Sequence, residues 1–211
     1  MKPKPNKKLR LFKRYLTSHL KFRVPKTYLY PLYKIANKKK IQRIKLIHKK
    51  EFNKINAIFI HNPKVAGTSI SKSLFSVNME GTLSAFYYKK ILGDSYYNSM
   101  FKFTFIRNPW SRLLSAYNQI IKEDLLFNNK KKPSFEDFTK NWLNKRRLFQ
   151  DPHLIPQYYY MYDDNNNLLV DFIGKFEQLN KDIETISKKL GIPISLPHLN
   201  KSSDANYKNH Y

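Results

Sequence analysis

Twice in this chain an apolar, β-rich run gives way within a few residues to the start of a helix. "INAIFI" is followed by "HNPKVAGTSISKSLF" (residues 61–75), and "MFKFTFIRN" (100–108) by a proline-led amphipathic stretch. Short runs that are apolar almost throughout are the pattern of strands buried on both faces. A strand that passes directly into a helix makes a βα unit, and two such units predict an α/β domain with a parallel sheet. In sheets of that kind ligands gather at the carboxyl ends of the strands.

The reading in detail places strands over 55–62 and 100–108, with the first helix over 69–77. Pro109 stands in the first turn of the second helix, where its missing N–H costs nothing. There Trp110, Leu113, Leu114, Tyr117, Ile120 and Ile121 follow helical spacing and predict one apolar stripe that packs on the sheet, with Ser111, Ser115, Asn118 and Lys122 on a polar face turned away from it. Ser134, three residues before Asp137, reads as an N-cap. "LLVDFIGKFE" (168–177) is a third strand candidate, and "NKDIETISKKLG" a helix closed by Gly191.

The two junctions also carry the chemistry. Pro63, Lys64, Gly67, Thr68 and Ser69 cluster at the first, in a chain with only five glycines. A helix N-terminus offers free N–H groups and the positive end of its dipole to an anion such as phosphate. Gly67 would let the backbone approach the anion, Thr68 and Ser69 would add hydroxyl donors, and Lys64 a full charge. A plain turn with Thr68 or Ser69 as helix cap explains the loop equally well when it is taken alone. The phosphate loop of nucleoside triphosphatases does not fit, because its Lys directly follows the last Gly and here Lys64 precedes Gly67. At the second junction Arg107 ends the strand and Ser115 lies on the helix after it, a fork and a hydroxyl suited to a second phosphate.

"PKVAGTS" followed by "FIRNPWSRLLSAY" resembles the two signature loops of sulfotransferases that use 3′-phosphoadenosine-5′-phosphosulfate (PAPS), in particular the carbohydrate group of chondroitin/HNK-1 type and related bacterial enzymes. "DPHLIPQ", "DFIGKFEQL" and "LPHLNKS" extend the likeness over roughly residues 55–207. The resemblance implies a single P-loop-like sulfotransferase domain, a short parallel β-sheet flanked by helices. It implies that Lys64, Val65, Ala66, Gly67, Thr68, Ser69 and Ile70 hold the 5′-phosphosulfate, and that Arg107 and Ser115 hold the 3′-phosphate. Lys64 would stabilise charge growing on the leaving oxygen. His153, in a proline-bounded loop, is the first candidate for the general base, with Glu80, Asp94 and Asp151 as carboxylate alternatives. His61 is expected to pack or to bond backbone, and His198 with Asn200 to Ser202 to border the nucleotide. The reaction calls for no metal, and the chain shows no metal-ligand spacing. The leading alternatives are a small P-loop-type kinase and a basic nucleic-acid-binding protein.

Net charge is +25, yet 19 of the 40 Lys and Arg and only one of the 15 acids, Glu51, fall in residues 1–54. This asymmetry predicts a basic, partly helical extension (1–54) followed by a domain (55–211) that the resemblance implies is the sulfotransferase domain. "KKLRLFKRYLTSHLKF" suits an amphipathic helix lying on anionic lipid, and a solvated extension packed loosely on the domain suits it as well. No cysteine is present, which removes disulfides and thiolate chemistry. The resemblance implies a carbohydrate acceptor; the basic surface would favour an anionic polysaccharide, and solvated lysines explain the same composition. Nucleic acid is not expected as a partner. With no long apolar span, a cytoplasmic location is expected, peripheral to a membrane at most.

Overall fold

The computed structural model describes residues 25–75, 82–127 and 131–196. In chain order the elements are α1 (Lys26–Ala36), α2 (Lys38–Arg43), a π-helical turn (Ile44–His48), α3 (Lys49–Ile55), β1 (Ala57–Ile60), α4 (Gly67–Leu74), α5 (Ala85–Leu92), α6 (Asp94–Ser99) and β2 (Phe101–Ile106). There follow α7 (Pro109–Lys122), α8 (Phe135–Asp137) running into a π-helical turn (Phe138–Trp142), α9 (Tyr158–Met161), β3 (Phe172–Lys175) and α10 (Leu179–Leu190). The chain falls into two compact units, one of residues 26–108 and 157–196, the other built on 109–156.

The first unit holds a three-stranded, wholly parallel sheet in the order β1-β2-β3. All four residues of β1 are buried, and so are Lys102 to Phe105 in β2, which is why both runs read as continuous apolar stretches. Of the two polar residues buried in β2, Thr104 donates its hydroxyl to the carbonyl of Ile60 at 2.7 Å and Lys102 places its ammonium 3.0 Å from the Asp171 carboxylate, so each has a partner. Gly174 stands opposite Phe105 in the register, where a Cβ would overlap the Phe105 ring. Parallel neighbours require crossovers, and α4 to α6 supply the one between β1 and β2. After β3, α10 lies against the same strand and ends at Gly191, whose φ of 67° is the left-handed cap that its sequence position predicts.

Residues 26–55 belong to this unit. Leu29, Ile41, Ile44, His48 and Phe52 are buried, and Phe52 meets Phe75 and Tyr88 edge-on at 5.7 and 5.5 Å. The boundary drawn from charge at residue 54 therefore falls inside α3, and the helical path continues through Pro31, which lies within α1. The start of α1 is fastened from far along the chain. Asp164 accepts from the backbone N–H of Lys26 at 2.9 Å, from that of Thr27 at 2.7 Å and from the Thr27 hydroxyl at 2.8 Å. The Lys26 ammonium donates to the Tyr162 carbonyl and lies 4.2 Å from the Tyr159 ring centroid. Burial pushes its pKa down to about 8, against the pull of Asp164 and Asp163. The stretch 1–24, including the amphipathic run read in "KKLRLFKRYLTSHLKF", lies outside the described residues.

In the second unit Ala116 and Ile120 of α7 cluster with Phe127, Phe138 and Leu154, and Leu113, Tyr117 and Ile121 pack at the margin of that cluster. The stripe predicted on α7 thus packs on residues of its own unit, where packing on the sheet was expected, and two of its positions differ. Trp110 is 56% exposed, while Ser111, placed on the solvent face by spacing, is 7% exposed. The first turn of the helix therefore does not follow the periodicity of the rest. Ser134 caps α8 by accepting from the Asp137 N–H at 3.1 Å. Among the described residues no helix is long and apolar enough to cross a membrane.

Candidate functional site

The turn after β1 is built from two unusual backbone positions. Lys64 and Ala66 both lie in the left-handed region, at φ 70° and 61°, a conformation that costs an L-residue roughly 1–2 kcal/mol. Ala66 is the N-cap of α4 and has no side chain with which to cap it. The first intrahelical bond of α4 runs from Ile70 N–H to the Ala66 carbonyl at 3.1 Å. Geometry therefore leaves the N–H groups of Gly67, Thr68 and Ser69 without an acceptor inside the helix. The alternative in which Thr68 or Ser69 caps the helix is not what the structure shows, since both lie inside the first turn.

The side chains of this turn divide by burial. Val65, Ser69 and Ile70 are buried, so Val65 and Ile70 can offer a ligand only their backbone. Thr68 is exposed, and Lys64 is half-buried. Gly67 is explained by packing. The His61 ring lies where its Cβ would be, so any larger residue would overlap the imidazole. His61 itself stacks on Phe59, with ring centroids 5.9 Å apart, in accord with the packing role expected of it.

Arg107 follows β2 directly and reaches the first turn. Its Nη1 donates to the carbonyl of Lys64 at 3.3 Å, and its guanidinium lies 4.4 Å from the Phe176 ring centroid. Burial holds its pKa below the usual guanidinium range, partly offset by Glu177, and the group remains a cation at any physiological pH. The backbone around it is held by Gln157, which sequence reasoning did not single out. Gln157 Oε1 accepts from Arg107 N–H at 2.8 Å, and Gln157 Nε2 donates to the Arg107 carbonyl at 2.8 Å. Asn62, at the end of β1, donates to the Phe105 carbonyl at 3.2 Å. Glu177 accepts from the Asn108 N–H at 2.6 Å. The two strand ends are thus tied together by amide side chains. These roles leave no local sequence signal, because each depends on a partner that is distant in the chain.

In the second unit Ser115 is half-buried on α7. His153 is half-buried as well, and its Nδ1 lies 2.6 Å from Asp151 Oδ1. The same oxygen accepts the His153 backbone N–H at 3.0 Å. Asp151 is 1% exposed. A carboxylate accepts, so Nδ1 carries the proton and Nε2 is left as the basic nitrogen. Asp151, read as an alternative base, is thus buried and bonded to the histidine. Asp94 lies exposed in the first turn of α6, 3.9 Å from the Lys89 ammonium. Glu80, His198 and the stretch from Asn200 to Ser202 lie outside the described residues.

Comparison with known proteins gives a family. Residues 45–210 match the sulfotransferase family. An uncharacterized protein of Archaeoglobus fulgidus is 34% identical over 122 residues, which cover 56% of this chain and 90% of that protein. No solved structure matches.

Proposed function

The chain belongs to the sulfotransferase family, and from that membership and its two linked turns we propose that it transfers a sulfuryl group from PAPS to a hydroxyl of a carbohydrate. The observation that carries this reading is the bond from Arg107 Nη1 to the Lys64 carbonyl at 3.3 Å. It puts the cation after β2 beside the turn after β1, so that one nucleotide can be held by both. A ligand with a phosphosulfate at one end and a ribose phosphate at the other meets that arrangement.

In this reading the free N–H groups at the start of α4 and the Lys64 ammonium hold the phosphosulfate. Arg107 holds the 3′-phosphate, its guanidinium over the Phe176 ring and its backbone fixed by Gln157. Ser115 adds a hydroxyl to the same phosphate by the family resemblance. During transfer the bond between sulfur and the bridging oxygen breaks and its electron pair stays on the bisphosphate, where Lys64 meets the growing charge. The acceptor oxygen forms the new bond to sulfur and gives up its proton to a base, for which the family resemblance offers His153, whose Nδ1–H is bonded to Asp151. The basic surface favours an anionic polysaccharide as acceptor.

The test is ligand-dependent stability followed by turnover. Saturating 3′,5′-bisphosphoadenosine should stabilise the protein by about 2.7 kcal/mol at roughly a hundredfold excess over Kd, and ATP with Mg²⁺ should not. Lys64→Ala and Arg107→Ala should abolish sulfuryl transfer while leaving the fold intact. Asp151→Asn should lower kcat by about 10²–10⁴-fold with a displaced pH profile. Stabilisation by ATP with Mg²⁺ alone would favour the phosphoryl-transfer reading, and an unchanged kcat in Asp151→Asn would remove His153 as the base.

A further inference from the structure

Helix α1 carries apolar residues on two distinct faces. Inward, Leu29 is buried, and the Tyr33 ring lies 4.5 Å from that of Tyr87. Outward, Tyr28, Leu32 and Ile35 are 73%, 57% and 68% exposed. Their spacing of four and then three residues puts them on one stripe. Shortly beyond, Leu46 and Ile47 in the π-helical turn are 64% and 37% exposed. A single exposed apolar side chain needs no explanation, but five large ones within twenty residues form a feature that asks for an occupant.

The charge around them identifies it. Residues 26–54 hold ten Lys or Arg and one acid, Glu51. Glu51 is 4% exposed and bonded to the Lys54 ammonium at 2.6 Å, so it offers no negative charge to the surface. Lys34, Lys38, Lys39, Lys45 and Lys50 are all exposed. A second copy of the chain would set these lysines against their equivalents with no carboxylate from the segment to separate them. Nucleic acid would engage the lysines and leave the apolar stripe in water. An anionic bilayer satisfies both, taking the apolar groups into the acyl boundary and the lysines at the headgroups. Because Asp164 pins the first turn of α1, the stripe is presented already formed, and binding pays little for ordering it.

We propose that the outer face of α1, with the Leu46–Ile47 turn beyond it, is a docking surface for an anionic lipid membrane. This goes beyond the transfer reaction and stands independently of it. The full chain should co-sediment with vesicles of phosphatidylcholine containing phosphatidylglycerol, and not with phosphatidylcholine alone, with retention falling as salt is raised. The triple variant Tyr28→Ser, Leu32→Ser, Ile35→Ser should bind the anionic vesicles at least about tenfold more weakly, with its thermal midpoint unchanged because all three side chains are exposed. In a Tyr28→Trp variant, emission should shift to the blue on adding the same vesicles. Absence of binding to anionic vesicles overturns the proposal. So does equal binding by the triple variant, which would assign lipid contact to residues 1–24. A dimer in sedimentation that the triple variant dissolves would give the surface to self-association. Retention on duplex DNA without retention on vesicles would give it to nucleic acid.

Discussion

Gly67 shows how far a single residue can be read from sequence. Its place in "PKVAGTS" suggests close backbone approach to an anion, whereas the structure fills the space of its missing Cβ with the His61 ring. The two explanations predict different variants. Gly67→Ala should destabilise the fold by about 1–3 kcal/mol through overpacking, and His61→Ala in the same chain should restore most of that loss, as chemical denaturation would show. If Gly67→Ala instead weakens nucleotide binding at unchanged stability, the anion explanation holds. Lys64 and Arg107 were legible as a pair because residue type and strand-end position suffice to flag them. Gln157, Asn62 and Glu177 were not, since an amide or carboxylate that bonds distant backbone looks in sequence like any other polar residue. The Asp151–His153 pair lay in between. The histidine stood out in its proline-bounded loop, but which of the two groups is buried, and hence which orients the other, depends on packing.

At the scale of elements, the parallel sheet was readable because β1 and β2 are buried along almost their whole length, and a buried strand has few sequences available to it. The strands prove shorter than their apolar runs, since the runs include the residues that lead into the turns. The first turn of α7 departs from its periodicity, with Trp110 outside and Ser111 inside. Periodicity reports one face of a helix and cannot report a terminus whose surroundings differ from those of the helix middle. Helix α1 makes the complementary point. Nothing in its own sequence caps it, and no acid lies in its first turn. Asp164 supplies that cap from 137 residues away. Asp164→Ala should therefore cost about 0.5–2 kcal/mol and should raise amide exchange selectively at the start of α1, which hydrogen exchange by mass spectrometry would resolve. Uniform exchange across the chain would show that the helix is held elsewhere.

For the molecule as a whole, charge proved a poor guide to where the folded unit begins. Apart from the buried Lys26, the lysines that mark residues 26–54 as an extension line helices whose inner side is core, His48 included. His48 is 3% exposed, with Nδ1 at 3.2 Å from the Tyr88 hydroxyl. Burial, with Arg43 and Lys40 adding to it, lowers its pKa from 6.5 to about 4. The unfolded chain then binds more protons than the folded one between those values, so this contribution to stability is intact above pH 6.5 and is lost as pH falls toward 4, by about 3 kcal/mol in all. In urea titrations across that range, His48→Gln should show a shallower fall than the native chain, and parallel curves would assign the acid sensitivity to other groups. A last consequence follows from the reciprocal bonds between Gln157 and Arg107. Within the sheet-bearing unit these bonds make neighbours of the points at which the stretch 109–156 leaves and re-enters the sequence. Such an arrangement behaves as a cassette. Exchanging the inserted stretch would keep the course of the scaffold and leave Lys64 and Arg107 on it, while Ser115, Asp151 and His153 would travel with the insert.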